Sequence, residues 1–145
     1  MRLTRFTDYA VRVMLYLAAH SDRLCSIGEI AEAYGISQNH LMKVVSDLAG
    51  AGFIEALRGR NGGLRLARPA AEINMADLVR QTEGVVDLVD CAQCPIATAC
   101  GMVSCFDDAV EAFFASLKKV TLADVYAKSR PERFSKLLGA ARCGP

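Results

Sequence analysis

The 145-residue sequence predicts a mainly α-helical chain with one small β-hairpin, and three observations lead there. Apolar residues recur at helical spacing through most of the first fifty positions and again beyond residue 104. Two short strand-like runs flank Arg58-Gly-Arg-Asn-Gly-Gly63, which carries a strong hairpin-turn signal at Asn61-Gly62. Four of the six cysteines fall between Cys91 and Cys105, a density that no ordinary backbone element requires. The expected architecture is a winged helix-turn-helix with a β-hairpin wing, a cysteine-rich loop and a long C-terminal dimerisation helix.

The first helix is expected from about Thr4 to Ala19, with Phe6, Ala10, Val13, Met14 and Leu17 as one apolar stripe. Asp8 lies in its first turns, where a carboxylate suits the positive end of the helix dipole, and Arg12 follows one turn later. A second helix starts at Ser26-Ile-Gly-Glu29, which reads as a capping box, and stops near Gly35. Ser37 is expected to cap a third helix, Gln38 to about Ala49, that buries Leu41, Val44, Val45 and Leu48. Two short helices joined by a tight glycine-containing turn make a helix-turn-helix.

Gly50 and Gly52 are expected to end the third helix, and Phe53–Leu57 and Leu64–Leu66 to pair as the wing. Arg58, Arg60, Arg65 and Arg68 decorate it, with Glu55 the one acid nearby. A glycine-rich tip bearing arginines suits close approach to phosphates or to a minor groove. Pro69 ends the wing, Asn74 caps a fourth helix to about Glu83, and Gly84 breaks it. A long helix from about Ser104 to Val120 carries Phe106, Val110, Phe113, Phe114, Leu117 and Val120, and Thr121-Leu-Ala-Asp124 opens a further turn as a second capping box. The tail has one weak apolar group, Phe134, Leu137 and Leu138. The expected divisions are a DNA-binding unit at 1–68, a cluster loop and dimerisation helix at 69–128, and a tail at 129–145.

Composition bounds the function. A hydrophobic fraction of 52% supports a real core. No run of apolar residues is long enough for a membrane span, and the N-terminal residues lack a signal-peptide pattern, so the expected location is the cytoplasm with no membrane partner. Thiols stay reduced there, which favours metal or redox chemistry over structural disulfides. Net charge is only +1, but it divides as +3 over residues 1–69, −5 over 70–128 and +3 over 129–145. The basic excess coincides with the helix-turn-helix and the acidic excess with the cysteines. Two histidines, His20 and His40, without an evident nucleophile or carboxylate partner in sequence, argue against an enzyme.

The exposed side of the third helix would offer Ser37, Gln38, Asn39, His40 and Lys43 to double-stranded DNA. Asn and Gln can contact adenine bidentately, and Lys43 can meet guanine or phosphate. Arg58, Arg60, Asn61, Gly62 and Arg65 of the wing extend that interface. The long helix has more apolar face than so small a chain can cover, which points to a homodimer reading a palindromic site.

The cysteines follow the spacing C-x2-C-x5-C-x4-C. Converging thiolates suit an iron–sulfur cluster or zinc, and on spacing alone both remain open beside a thiol–disulfide switch. Cys25 reads as a small buried hydrophobe and Cys143 as a thiol on the tail.

Several of these segments together resemble a known group. Met1-Arg-Leu-Thr4, Phe6-Thr-Asp-Tyr-Ala10, Tyr34-Gly-Ile-Ser37 with Asn39-His40 and Lys43-Val44, the Arg58–Gly63 wing, the cysteine loop and Thr121-Leu-Ala-Asp124 are similar to the IscR/NsrR family of winged-helix iron–sulfur regulators. Within it, Asp8 and the His40-bearing helix resemble the NsrR-type nitric-oxide-sensing repressors. The resemblance implies a cluster, 4Fe-4S ahead of 2Fe-2S, held by Cys91, Cys94 and Cys100 together with Asp8 of the partner subunit. The sequence departs from the family in the short gap between Cys91 and Cys94 and in the extra thiol Cys105, an alternative ligand. The expected function is a homodimeric transcriptional repressor sensing nitric oxide. The alternatives are a family member reporting iron or cluster status, an iron–sulfur electron-transfer protein, and a zinc-stabilised DNA-binding module.

Overall fold

A computed structural model describes residues 2–130, 132–134 and 136. Its helices are α1 (Arg5–Ala19), α2 (Ile27–Tyr34), α3 (Gln38–Gly50), α4 (Met75–Glu83), α5 (Met102–Leu117) and α6 (Leu122–Lys128). Strands β1 (Ile54–Leu57) and β2 (Gly63–Leu66) form an antiparallel pair in which Glu55 faces Arg65. Leu137, Leu138 and Cys143 lie outside the described residues.

Helix α1 is the centre of the packing. Thr4 caps it by accepting a hydrogen bond from the Thr7 N–H. Ala10, Val13, Met14 and Leu17 are fully enclosed, against Leu41, Val44 and Leu48 of α3, Leu64 of β2, Ile73 and Leu78 around α4, and Leu122 of α6. This one core therefore joins the helix-turn-helix and wing to α4 and α6. Deleting buried methylenes at such sites costs about 2–5 kcal/mol per Leu→Ala change, so the relative positions of α1 and α3 are strongly specified.

Local signals place the ends of the helices. Ser26 Oγ accepts from the Glu29 N–H, the first half of the expected capping box. The Glu29 carboxylate, however, also takes Arg23 at 2.7 Å and the Tyr16 hydroxyl at 3.3 Å, which sequence spacing does not reveal. Burial opposes ionisation of Glu29, but the bonds from Arg23 and Ser26 outweigh it and hold its pKa below the ordinary value. Gly35 takes the left-handed conformation, φ 61°, that closes α2 and turns the chain into α3. Ser37 occupies the N-cap position of α3, yet its side chain makes no capping bond; only its carbonyl enters the helix ladder, accepting from His40 and Leu41. Gly50 is the last residue of α3 rather than its breaker. The expected capping box at Thr121 forms in full, with each residue's side chain accepting from the other's N–H.

Beyond the wing, the Ile73–Met75 segment zips against the α5–α6 junction. Met75 N–H donates to the Val120 carbonyl, Leu122 N–H to Ile73, and the Asn74 amide to Lys118. Helix α5 begins two residues before the expected Ser104 and ends before Val120. It packs on α4 through a small second core of Ala76, Val79 and Phe114, with the Arg80 guanidinium 4.1 Å from the Phe114 ring centre. Phe114 is the one buried residue of α5; Phe106, Val110, Phe113 and Leu117 stay half-exposed.

The α1–α4 contact has a polar end. The Glu83 carboxylate, on the last residue of α4, accepts from Thr4 N–H at 2.8 Å, from the Thr4 hydroxyl at 3.0 Å, and from the hydroxyl of buried Thr7. Partial burial raises the Glu83 pKa, but these bonds dominate and bring it below the usual glutamate value. A carboxyl whose folded pKa lies below its unfolded one adds stability that is complete above the unfolded value and lost as pH falls through the folded one. Urea midpoints of wild type and Glu83→Gln, compared from neutral pH down through the carboxylate range, should converge on acidification. A gap that stays constant would show that Glu83 ionisation is not what holds the contact.

Candidate nucleic-acid interface and cysteine loop

Helix α3 divides cleanly. Its inner stripe is Leu41, Val44, Val45 and Leu48, while Gln38, Asn39, His40, Met42, Lys43 and Ser46 are exposed. The inner stripe fixes the helix against α1, so the outer residues are presented by a rigid element. The His40 ring faces Tyr9 of α1, with centroids 6.5 Å apart and planes 30° from parallel. Tyr9 follows Asp8 directly, so the first turns of α1 touch the start of α3.

The wing tip is a five-residue loop, Arg58 to Gly62, between Leu57 and its register partner Gly63. It is not the two-residue turn that Asn61-Gly62 suggests. A turn closes instead from the Gly62 N–H to the Gly59 carbonyl at 3.0 Å, and Gly59 supplies the positive φ of 112°. Gly62 is needed for a different reason: a Cβ there would lie 2.2 Å from the Leu57 carbonyl oxygen. The four arginines are not equivalent. Arg65 is locked to Glu55 across the strands at 2.7 Å, and the Arg68 guanidinium lies 5.4 Å over the Phe53 ring. Arg58 and Arg60 are exposed at the tip with no ion pair among the described residues, so they are the wing cations available to a phosphate.

The cysteine loop leaves Gly84 and climbs to α5 through successive three-residue turns. Cys94 N–H donates to the Cys91 carbonyl, Ala97 to Cys94, Cys100 to Ala97 and Val103 to Cys100, at 3.2–3.3 Å. Cys91, Cys94 and Cys100 each supply a carbonyl that closes one of these turns. The Cys91 thiol has its pKa raised by burial and then by the neighbouring Cys94, Cys100, Asp107 and Asp90. Three half-buried soft donors that repel one another when ionised suit a thiophilic cation, which removes that repulsion. Among the described residues, however, no three His, Cys, Asp or Glu side chains stand in an arrangement ready to hold a metal ion. The donor types are those that suit a metal or cluster, but the described loop does not hold them converged on one point.

Cys105 is exposed on α5 and is not among the groups acting on Cys91. Asp8 is exposed on α1 and paired with Arg12 at 2.9 Å; it is not among the groups acting on Cys91 of its own chain. Cys25 is buried, as expected. Its backbone forms a two-bond bridge with Leu64, and burial pushes its thiol up to about 11. Sequence reasoning missed Met42, whose exposure breaks the helical rule that apolar residues face inward. It also missed the Glu83 contact, which joins residues 79 positions apart with no local signal.

Comparison with known proteins agrees with this geometry. Residues 3–128 match the Rrf2 family, described as an iron-dependent transcriptional regulator. Protein aau3 of Rhizobium meliloti (strain 1021) is 43% identical over 137 residues, covering 91% of this chain and 88% of that protein. Among solved structures, T. potens IscR superposes with a TM-score of 0.74 at 26% identity, covering 89% of this chain and 88% of that one. CymR, the global cysteine regulator of B. subtilis, gives 0.70 at 25% identity, with 88% and 98% coverage. The oxidized form of Staphylococcus aureus CymR gives 0.70 at 27%, with 87% and 96% coverage. The solved structures share this chain's fold, and the family that matches is one of transcriptional regulators.

The contrast between thiols can be read chemically. Only thiolate reacts with an alkylating agent, so a buried thiol with a pKa near 11 should be inert in the native state. Brief alkylation of folded, metal-free protein, followed by peptide mass spectrometry, should label exposed Cys105 and spare Cys25 until denaturant is added. Equal labelling of both would contradict the enclosure of Cys25 beneath the wing.

Proposed function

Because this chain belongs to the Rrf2 family of DNA-binding transcriptional regulators, we propose that it is a homodimeric repressor whose grip on DNA is set by an iron–sulfur cluster and released by nitric oxide. The observation that carries this reading is the three-thiol turn series from Cys91, in the loop that leaves α4 after Glu83, the residue that fastens the end of α4 to the start of α1. Cys91, Cys94 and Cys100 are the proposed ligands, with Asp8 of the partner subunit as the fourth and Cys105 as the alternative. When bound, the cluster, 4Fe-4S rather than 2Fe-2S, supplies iron that reacts with nitric oxide.

The chain's own residues provide the coupling. Asp8 is held by Arg12 through an exposed i,i+4 pair, which contributes only about 0.3–0.5 kcal/mol, so giving it up to a stronger partner costs little. Tyr9, the next residue, faces His40 at the start of α3. A change in what Asp8 binds is thereby felt one residue away at the element that reads bases. Gln38, Asn39, His40 and Lys43 then meet base edges, Ser37 lies at the helix start beside the phosphates, and Arg58, Arg60, Asn61 and Gly62 bring the wing to the backbone. Arg65 takes part once it is exchanged from Glu55.

The half-exposed face of α5 supports the dimer. Phe106, Val110, Phe113 and Leu117 form a stripe that α4 covers only in part, and a second α5 is its natural cover. Among the described residues no helix is long and apolar enough to cross a membrane, and a cytoplasmic location agrees with a DNA-bound role. A second reading keeps the cluster but makes iron or cluster supply the signal; the description of the family as iron-dependent favours it.

Gel-shift titrations with anaerobically loaded protein on a DNA fragment recovered by selection test the proposal. Loss of the cluster, by chelation or by Cys94→Ala, should weaken binding about tenfold or more, since each lost base contact costs about 1–3 kcal/mol. Nitric oxide should reproduce that loss at once in loaded protein. Equal affinity with and without cluster would sink the proposal, whereas release on iron chelation but not on nitric oxide would establish the second reading.

A further inference from the structure

The outer face of α3 carries one residue that neither the core nor hydrogen-bonding chemistry accounts for. Met42 is 52% exposed, while its neighbour Leu41 is fully buried. It occupies the middle of the face, one turn from Gln38 and Asn39 on one side and from Ser46 on the other, beside Lys43. Every one of these neighbours is polar and exposed. A helix surface that served only solvent would gain nothing from a large, half-exposed thioether at its centre.

We propose that Met42 is a specificity-determining residue that packs on the 5-methyl group of a thymine in the major groove. This rests on the reading of α3 as the DNA-contacting helix. In that groove A·T and G·C pairs differ in their hydrogen-bonding edges, and thymine adds the one apolar group, its methyl. Gln38 and Asn39 have the donor–acceptor pair that adenine presents, so amides one turn from a methionine match a step in which adenine and thymine are read side by side. Methionine suits the task because it is unbranched and polarizable, and it adapts its rotamers to a small target. The occupant is a nucleobase and not a protein, because the face is rimmed by Lys43 and lies on the same rigid helix as the base-reading amides.

The experiment uses full-length protein prepared anaerobically and the duplex it selects from a random library. Thymines of each half-site are replaced singly by deoxyuridine, which deletes only the methyl. For wild type, one position in each half-site should respond, with binding weakened about fourfold, the equivalent of one buried methyl. Met42→Ala should bind the thymine duplex about as weakly as wild type binds the deoxyuridine duplex, and should no longer distinguish the two. Met42→Leu should keep the discrimination. The proposal is overturned if Met42→Ala retains the full thymine preference, or if no deoxyuridine substitution affects wild type. The DNA-binding reading fails separately if the library yields no preferred sequence and Lys43→Ala and Arg60→Ala bind as wild type does.

Discussion

The knot of Thr4 and Thr7 on the Glu83 carboxylate is the contact on which the rest depends. It fastens the first turn of α1, which bears Asp8 and Tyr9, to the last residue of α4, from which the cysteine loop departs. Hydrogen bonds to a charged acceptor are stronger than neutral ones, and here three converge on one carboxylate. Chain segments 79 positions apart are thus made neighbours where the start of α1 meets the end of α4.

The apolar core carries that junction outward. Helix α1 buries one stripe against α3, the wing and α6 together, so it cannot shift without disturbing the recognition helix. Close-packed interiors transmit small displacements instead of absorbing them. The cysteine loop is the opposite kind of structure: its backbone is held mostly by three-residue turns, its thiols are half-exposed, and α5 beyond it has one buried residue. A tightly packed helix pair beside a loosely packed loop is the division that the proposed sensing role would use, because ligation would close the loop and α1 would carry the result to α3.

The sequence reveals most of this fold, and its failures have physical causes. Helical periodicity located α1 to α5 within a few residues, since α1 to α4 bury apolar stripes and α5, with Phe114 alone buried, still carries its apolar residues at helical spacing. The expected caps at Ser26, Asn74 and Thr121 form, since they depend on residues only two or three positions away, whereas the side chain of Ser37 makes no capping bond. The Asn61-Gly62 signal marked the hairpin but not its turn, which is set by the close approach of Gly62 to the Leu57 carbonyl across the loop. Charge counting could not tell Arg58 and Arg60 from Arg65, because the Glu55 pairing depends on strand register. The thiols of the site were legible as a group. Their turn geometry was not, and neither was the contact of Tyr9 with His40, which arises from how elements pack.

The most direct test of the account is the iron and acid-labile sulfide content of anaerobically purified protein, with its visible absorption, for wild type and Cys94→Ala. The account predicts iron and sulfide in matching amounts with a coloured spectrum in the wild type, and loss of all three in the variant. A colourless wild-type protein holding zinc, or no metal, would contradict it and leave a winged-helix regulator whose trigger lies elsewhere.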